Sequence, residues 1–228
     1  MRPGRLFVFG LGYSAERLAR CLLGEGWAVA GTTRSDERAA ALRRDGVEVL
    51  LHGPDAPLDP ATSALRSATH VLMSAPPGEA GDPVLPLLSD AIRAAQPDWI
   101  GYLSTTGVYG DRGGGAVDET SELRPSGPRQ ARRVAAEALW QALDPPAHVF
   151  RLPGIYGPGR SALEQVRSGR ARRILKPGHR FSRIHVDDIV VALVAWMARP
   201  RPGAVYNVVD DMPAESAEVL AYAAELLG

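Results

Sequence analysis

The chain has 228 residues, of which 45% are hydrophobic, and its formal net charge at pH 7 is zero. A chain of this length can bury a large core, and the balanced charge excludes a global basic field that would recruit nucleic acid. The single cysteine, Cys21, excludes an intramolecular disulfide and a cysteine-cluster metal site.

No apolar run approaches the ~20 residues of a membrane span, and the first apolar run begins too early for a signal peptide. We therefore expect a soluble, cytoplasmic protein with no membrane or nucleic-acid partner, and the oligomeric state stays open. Cys21 falls on the apolar side of the first predicted helix, so a buried and inert thiol is expected.

A strand, a glycine turn and a helix open the chain. The apolar residues 6–9 lead into the sequence GLGYSA and then into a helical pattern up to residue 23. In this context G-x-G-x-x-A is typical of a dinucleotide cradle, in which Gly10 permits the turn, Gly12 admits a pyrophosphate and Ala15 packs closely. The helix N-terminus adds free N–H groups. The alternative is a tight turn that binds no ligand.

Strand-like runs alternate with helical patterns along the rest of the chain, which is typical of a parallel sheet wrapped by helices. The predicted strands are residues 27–32, 47–51, 70–73, 99–103, 147–152 and 204–208. The predicted helices are residues 36–44, 60–67, 84–95, 128–143, 187–198 and 214–227. We predict an α/β fold with a doubly wound parallel sheet (Rossmann) in one domain, residues 1–228. A reduced C-terminal substrate lobe is expected from segments near 155–185 and 203–228.

The end of the second predicted strand indicates which dinucleotide binds. It carries Thr33 and Arg34, with no carboxylate before Asp36. An acidic residue at this point bonds the ribose of NAD, whereas an arginine pairs with the 2′-phosphate of NADP. Arg34, assisted by the Thr33 hydroxyl, therefore favours NADP over NAD. Two alternatives stay open: an exposed arginine with no ligand, and Asp36 accepting the ribose, which would restore NAD.

Four segments in the second half of the chain carry further motifs. Residues 103–110 read LSTTGVYG, residues 151–160 read RLPGIYGPGR, residues 183–189 read RIHVDDI and residues 206–208 read YNV. In this order they resemble segments of the extended short-chain dehydrogenases/reductases, of the NAD-dependent epimerase/dehydratase-like group. The resemblance implies an NAD(P)-dependent oxidoreductase or epimerase acting on a small carbonyl or hydroxyl, including sugar-nucleotide-type substrates. The G-x-G-x-x-A turn indicates an atypical branch.

The resemblance also implies catalytic positions, and here the chain departs from the family. Thr105 takes the Ser/Thr position, where its hydroxyl would polarise a carbonyl. Counted back from Ala136-Glu137, the positions of the family's tyrosine and lysine hold Arg129 and Arg133. A guanidinium stays protonated near neutrality, with a pKa above ~12, and cannot exchange protons as a phenol does.

Three interpretations of Arg129 and Arg133 stay open. They are solvated surface charges, or they clamp an anionic substrate or a cofactor phosphate, or Arg133 replaces the lysine while another group supplies the proton. Tyr109 is the nearest candidate donor, although in the family this tyrosine packs structurally. The competing function is a non-catalytic NADP-binding sensor or scaffold, and a third is a fold relic that binds no nucleotide.

The predicted cofactor contacts are Gly10, Gly12, Tyr13, Ser14, Ala15, Thr33, Arg34, Ser74, Ala75, Pro76 and Pro153. No metal site is predicted. His185 and Asp187 are interpreted as hydrogen-bonding residues at a helix start, with Asp187 as N-cap.

Several basic and acidic side chains remain without a settled role. Arg160, Arg180 and Arg183 would hold a nucleotide diphosphate or lie in solvent, and the arginines of residues 167–173 are expected at the surface. Adenine recognition by Asp55 is in doubt because Gly53-Pro54 displaces it. The chain ends earlier than its relatives, so either the sequence is truncated or part of the substrate lobe is lost.

Overall fold

The computed structural model describes residues 1–53, 56–172 and 178–228. Asp55, expected near the adenine, and Arg173, expected at the surface, lie outside the described residues. In chain order the strands are β1 (Arg5–Phe9), β2 (Ala28–Thr33), β3 (Glu48–Leu51), β4 (His70–Met73), β5 (Trp99–Thr105), β6 (His148–Leu152), β7 (Gly154–Tyr156), β8 (Arg180–Phe181), β9 (Arg183–His185), β10 (Val205–Asn207) and β11 (Ala214–Glu215).

The helices are α1 (Tyr13–Gly24), α2 (Asp36–Arg44), α3 (Ser63–Arg66), α4 (Leu85–Ala95), α5 (Pro128–Gln141), α6 (Ala162–Arg167), α7 (Val186–Ala198) and α8 (Ser216–Glu225), with a 3₁₀ turn at Thr106–Tyr109. The helices alternate with the strands of the central sheet as the sequence predicts, whereas α6 and the short strands β7, β8, β9 and β11 were not predicted. The predicted last helix, 214–227, starts later because Ala214–Glu215 pairs with β8. Within the described ranges, no helix has both the length and the apolar character needed to cross a membrane.

The central sheet has seven parallel strands in the order β10-β6-β5-β4-β1-β2-β3. The predicted α/β doubly wound parallel sheet is therefore confirmed. The chain runs outward from β1 to β3 and then crosses to β4 on the other side. The carboxyl ends of β1 and β4 thus form the switch point at which such sheets bind ligands.

The core lies on both faces of the sheet, because successive side chains of a strand point to opposite faces. In β1, Leu6 and Val8 join one buried cluster with residues of α1 and α7. Phe7 and Phe9 join the other, with residues of α4 and α5. The sheet is thereby covered by helices on both sides.

Cys21 corrects one expectation, because the thiol is exposed rather than buried. The buried stripe of α1 consists of Ala15, Leu18, Ala19 and Leu22, and Cys21 lies just outside it. Its Sγ is 3.9 Å from a carboxylate oxygen of Glu25.

The segments expected to form a C-terminal lobe lie together in space. The β7 strand pairs with β9 in parallel, and β8 pairs with β11 antiparallel. Helix α6 packs against α8. Because β7 follows β6 almost directly, these small sheets are attached at the carboxyl edge of the central sheet.

Candidate functional site

The glycine turn after β1 is held in a conformation that suits glycine at its first position. Gly10 has a φ of +89°, and a Cβ there would lie 2.8 Å from the backbone nitrogen of Ala75. The Gly10 N–H donates to Thr32 Oγ1 at 2.9 Å, and the Leu11 N–H donates to the Thr32 carbonyl at 2.7 Å. The turn is thus fixed between β2 and the segment after β4.

Gly12 stands at the open side of the same turn. It is the N-cap residue of α1 with an extended backbone, and no side chain caps the helix. A Cβ at Gly12 would meet only the Gly10 carbonyl, at 4.0 Å. The N–H groups of the first helical turn, at Tyr13, Ser14 and Ala15, lack intrahelical acceptors by geometry. The space beside Gly12 and these donors together match what a dinucleotide pyrophosphate requires.

Tyr13, a predicted cofactor contact, is engaged with the C-terminal lobe. Its hydroxyl donates to the Pro158 carbonyl at 2.9 Å, and the Arg160 guanidinium lies over its ring at 5.7 Å. Burial raises the pKa of the Tyr13 phenol, and nearby Arg17 partly offsets this. The residue therefore joins α1 to the turn at 157–160.

The carboxyl end of β2 presents Arg34 to solvent. Its stem lies along Gly53, where a Cβ would be 3.4 Å from Arg34 Cγ. Thr33 is buried, whereas Ser35 caps α2 by accepting from the Arg38 N–H at 3.3 Å. Sequence reasoning missed Arg38, whose guanidinium donates to the Leu11 carbonyl at 3.0 Å. Only the packing of α2 against the glycine turn reveals this second arginine.

The segment after β4 closes the other side of the switch point. The N–H groups of Ser74 and Ala75 both donate to the Phe9 carbonyl at 2.9 Å. Pro76 follows them, and Pro153 is half-buried between β6 and β7. These predicted contacts therefore lie at the carboxyl ends of β4 and β6.

Thr105, Arg129 and Arg133, the predicted catalytic positions, line one cavity of about 310 Å³ together with Gly107 and Gln130. Thr105 ends β5, and its Oγ1 accepts from the Gly107 N–H at 3.1 Å. That bond leaves the Thr105 hydroxyl hydrogen available to a ligand. The structure thus brings together three residues that are up to 28 positions apart in the sequence.

Arg133 is anchored rather than free in solvent. Its Nη1 donates to the Leu103 carbonyl at 2.8 Å and lies 3.4 Å from the Tyr102 hydroxyl. Burial raises the pKa of the Tyr102 phenol, and Arg133 partly offsets this. Arg129, one helical turn earlier, is exposed. The solvated-surface interpretation therefore fails for Arg133.

The motif residues of the second half form one buried network. The Arg151 guanidinium pairs with the Glu137 carboxylate at 2.8 Å, and Glu137 also accepts from the Ser104 hydroxyl. Arg151 donates to the Tyr109 hydroxyl at 2.8 Å, which itself donates to Asn207 Oδ1 at 2.8 Å. Tyr109 is thus bonded within the fold and is not a free proton donor.

The start of α7 corrects a further expectation. The N-cap is His185, whose Nδ1 accepts from the Asp187 N–H at 3.2 Å, and not Asp187 itself. Asp187 instead accepts from Arg17 of α1 at 2.6 Å. Because the carboxylate reaches across to α1, it ties α7 to the helix of the glycine turn. In the described ranges, no three acidic, histidine or cysteine side chains converge as metal ligands would.

A second cavity, of about 870 Å³, lies between β7, α6 and α8. Arg160 and Arg183 line it, whereas Arg180 is exposed on β8 outside the lining. Arg183 already donates to the carbonyls of Phe181 and Ala214, at 3.0 and 3.1 Å. Sequence reasoning missed this cavity because α6 was not predicted and its walls come from distant segments.

Comparisons with known proteins agree with this architecture. The NAD dependent epimerase/dehydratase family matches residues 86–209. Protein YeeZ from Escherichia coli (strain K12) is 28% identical over 220 residues, which cover 90% of this chain and 77% of YeeZ.

Two solved structures are similar over almost the whole chain. A functionally unknown conserved protein from Silicibacter pomeroyi DSS is 52% identical, with a TM-score of 0.90, and the match covers 99% of this chain and 79% of that one. The dTDP-glucose 4,6-dehydratase DesIV from Streptomyces venezuelae, with NAD and TYD bound, is 20% identical, with a TM-score of 0.79 and coverages of 98% and 81%. At that identity DesIV supports the fold alone.

Proposed function

The chain belongs to the NAD dependent epimerase/dehydratase family, and from this premise we propose an NAD(P)-dependent oxidoreductase or epimerase-like enzyme acting on a small carbonyl or hydroxyl. The observation that carries the proposal is the shape of the glycine turn. It is closed against Ala75 at Gly10 and open at Gly12, where a Cβ would occupy the space a pyrophosphate needs.

The residues around the switch point fit a dinucleotide. The first turn of α1 would hold the pyrophosphate, and Thr33 and Arg34 would contact the adenosine ribose. The segment from Ser74 to Pro76 would contact the middle of the dinucleotide. DesIV, which shares this fold, is described with NAD bound. A nicotinamide bound in this way supplies or accepts a hydride.

NADP is the proposed form of the dinucleotide. Arg34 is an exposed guanidinium at the end of β2, whereas Arg38, a second one beside the glycine turn, already pairs with Glu16 at 2.8 Å. Guanidinium groups suit a 2′-phosphate, which NAD lacks.

Replacing Arg34 tests this choice. In Arg34→Gln, NADPH affinity should fall about tenfold while NADH affinity changes by less than about twofold. Arg44→Gln, which removes an exposed arginine at the far end of α2, is the matched control. Titrations followed by nicotinamide fluorescence measure both, and equal or tighter NADH binding by the unaltered protein would overturn the NADP assignment.

The chain's own residues would act on the substrate oxygen. The Thr105 hydroxyl would donate to it, and Arg133, held by the Leu103 carbonyl, would stabilise negative charge that develops there. Neither side chain exchanges a proton near neutrality, so water supplies the proton. Without a positioned acid or base in the chain, both carbonyl reduction and the reverse alcohol oxidation should be slow near neutrality.

The second candidate is a protein that binds the dinucleotide without turnover. It is favoured by the arginines at the tyrosine and lysine positions and by the bonded state of Tyr109. A panel of aldehydes, 2-oxo acids and sugar nucleotides with NADPH, followed at the nicotinamide absorbance, separates the two. Turnover that Thr105→Ala lowers about a hundredfold supports the enzyme. Thermal stabilisation by NADPH with no turnover on any substrate supports the binding protein.

A further inference from the structure

We infer that the cavity beside Thr105 recognises a substrate with an oxyanion, a carboxylate or a phosphate, next to its reacting carbonyl or hydroxyl. The inference rests on the proposed function and names its substrate class. It concerns the cavity of about 310 Å³ that Thr105, Gly107, Arg129, Gln130 and Arg133 line. A volume of this size, at the low end of about 300–1,000 Å³ for ligand sites, suits a small molecule.

The two arginines belong to the face that α5 turns toward the sheet. Residues 129, 133, 136, 137 and 140 recur at helical spacing, and the last three of these are buried. Arg129 and Arg133 continue this stripe beyond the packed core, where the cavity opens. Arg132 is half-buried at the border of this stripe and does not line the cavity.

The charges in the cavity are unbalanced. No carboxylate is among its lining residues, and the first turn of α5 contains no acidic side chain and no side-chain cap. Two cations one helical turn apart repel each other, and the positive end of the helix dipole adds to the repulsion. A bound oxyanion would relieve both unfavourable terms.

The hydrogen-bonding groups are arranged as donors. Arg133 uses Nη1 on the Leu103 carbonyl, and its Nε and Nη2 have no partner in the described part of the chain. Arg129 likewise forms no hydrogen bond or ion pair there. The Thr105 hydroxyl accepts from the Gly107 N–H and therefore keeps its hydrogen for a ligand. The anchored Arg133 guanidinium, the exposed Arg129 guanidinium and the Thr105 hydroxyl together match a carboxylate beside a carbonyl oxygen.

This placement differs from that of a sugar nucleotide, whose charge lies on a diphosphate away from the reacting carbon. The inference therefore predicts preference for compounds such as short 2-oxo acids over neutral aldehydes of the same size. Removing either positive charge should weaken binding of the anion and leave binding of the neutral compound unchanged.

The test compares oxalate with oxamide, its neutral isostere, by calorimetric titration at fixed ionic strength, with inorganic phosphate as a third probe. The unaltered protein should bind oxalate and not oxamide. Arg129→Gln and Arg133→Gln should each weaken oxalate binding about tenfold, whereas Arg132→Gln should change it less than about twofold. Arg133→Lys should restore part of the loss. Tighter phosphate than oxalate binding would assign the oxyanion as phosphate.

Equal binding of oxalate and oxamide, or an equal loss in Arg132→Gln, would overturn the inference. Arg129 is exposed, so its substitution keeps the test valid even if Arg133→Gln fails to fold. NADPH titrations of the same proteins distinguish failure of this inference from failure of the proposed function. Dinucleotide binding without oxalate discrimination overturns the inference alone. Absence of dinucleotide binding overturns the proposed function. In that case the oxalate and oxamide titrations without dinucleotide still decide whether the cavity recognises an oxyanion.

Discussion

Gly10 and Gly12 have different physical reasons for being glycine. At Gly10 the backbone has a positive φ and lies against Ala75, so a side chain would be strained and would clash. At Gly12 the backbone is extended, a conformation that any residue adopts, and only the open space beside it distinguishes the position. The first glycine serves the fold and the second would serve the ligand.

Alanine substitutions should separate these two roles. Gly10→Ala should lower the free energy of unfolding by about 1–3 kcal/mol and also weaken NADPH binding. Gly12→Ala should change stability by less than about 0.5 kcal/mol but weaken NADPH binding about tenfold. Urea unfolding and NADPH titration measure the two effects. Unchanged NADPH affinity in Gly12→Ala would contradict a pyrophosphate at this position.

Glu137 and Arg151 show how a family motif can be structural. Both side chains are almost fully buried, at 3% and 5% exposure, and they pair at 2.8 Å. A buried charge that loses its partner is destabilising, because neither water nor a counter-ion replaces it.

Glu137→Gln should therefore lower the free energy of unfolding by about 3–5 kcal/mol. Asp90→Asn removes one partner of an exposed pair with Arg93 and should leave the unfolding midpoint unchanged. Thermal unfolding followed by circular dichroism compares the two variants. A small loss for Glu137→Gln would mean that Arg151 finds another acceptor.

At the scale of elements, α5 combines two functions on one face. Its central part packs Ala136 and Trp140 into the core, and its beginning presents Arg129 and Arg133 to the cavity. By the resemblance, these two arginines occupy the positions of the family's tyrosine and lysine. Restoring the family's residue types should therefore restore proton exchange.

The double variant Arg129→Tyr/Arg133→Lys tests that idea. If proton transfer is what the chain lacks, alcohol oxidation with NADP should rise about a hundredfold over the unaltered protein. Arg133→Lys alone should give much less, because it supplies no phenol to exchange a proton. Formation of NADPH from a panel of alcohols is the readout. A fall in activity in the double variant would assign the function to the arginines themselves.

At the scale of the whole molecule, two buried histidines couple the sheet to pH. His148 donates from Nδ1 to the Ile100 carbonyl at 3.0 Å and accepts at Nε2 from the Arg201 N–H at 2.7 Å. The contact at Nε2 requires the neutral ring, and burial lowers the pKa of His148, which the bond to the Ile100 carbonyl partly offsets. Burial also lowers the pKa of His70 from 6.5 to about 4, with Asp98 partly offsetting it.

Acid should therefore destabilise the fold in a defined window. Below pH 6.5 the unfolded chain protonates His70 and the folded chain does not, so stability is lost until the pH reaches about 4. The loss attributable to His70 is about 3 kcal/mol. Urea unfolding of the unaltered protein and of His70→Gln between pH 7.5 and 4 measures it. A pH-independent difference between the two would contradict the lowered pKa.

The order of strands and helices could be predicted from the sequence, because the alternation of buried and exposed side chains is a local property. The glycine turn and the strand-end arginine were identified for the same reason. The predicted burial of Cys21 was wrong, since a residue at the border of the apolar stripe of α1 can face either the core or the solvent. The last helix starts later than predicted because β11 pairs with β8, a contact that is not local in the sequence. His185 rather than Asp187 caps α7, and the Asp187 carboxylate instead reaches Arg17 of α1, which is also distant in the sequence.

The sequence by itself determined the fold class and the glycine turn that follows the first strand. Only the tertiary structure decided that Thr105, Arg129 and Arg133 line one cavity, that Tyr109 is bonded to Arg151 and Asn207, and that α6 and α8 enclose a second cavity. The physical reason is distance along the chain. Backbone periodicity acts over a few residues, whereas these contacts join segments that only the packing of the sheet and helices brings together.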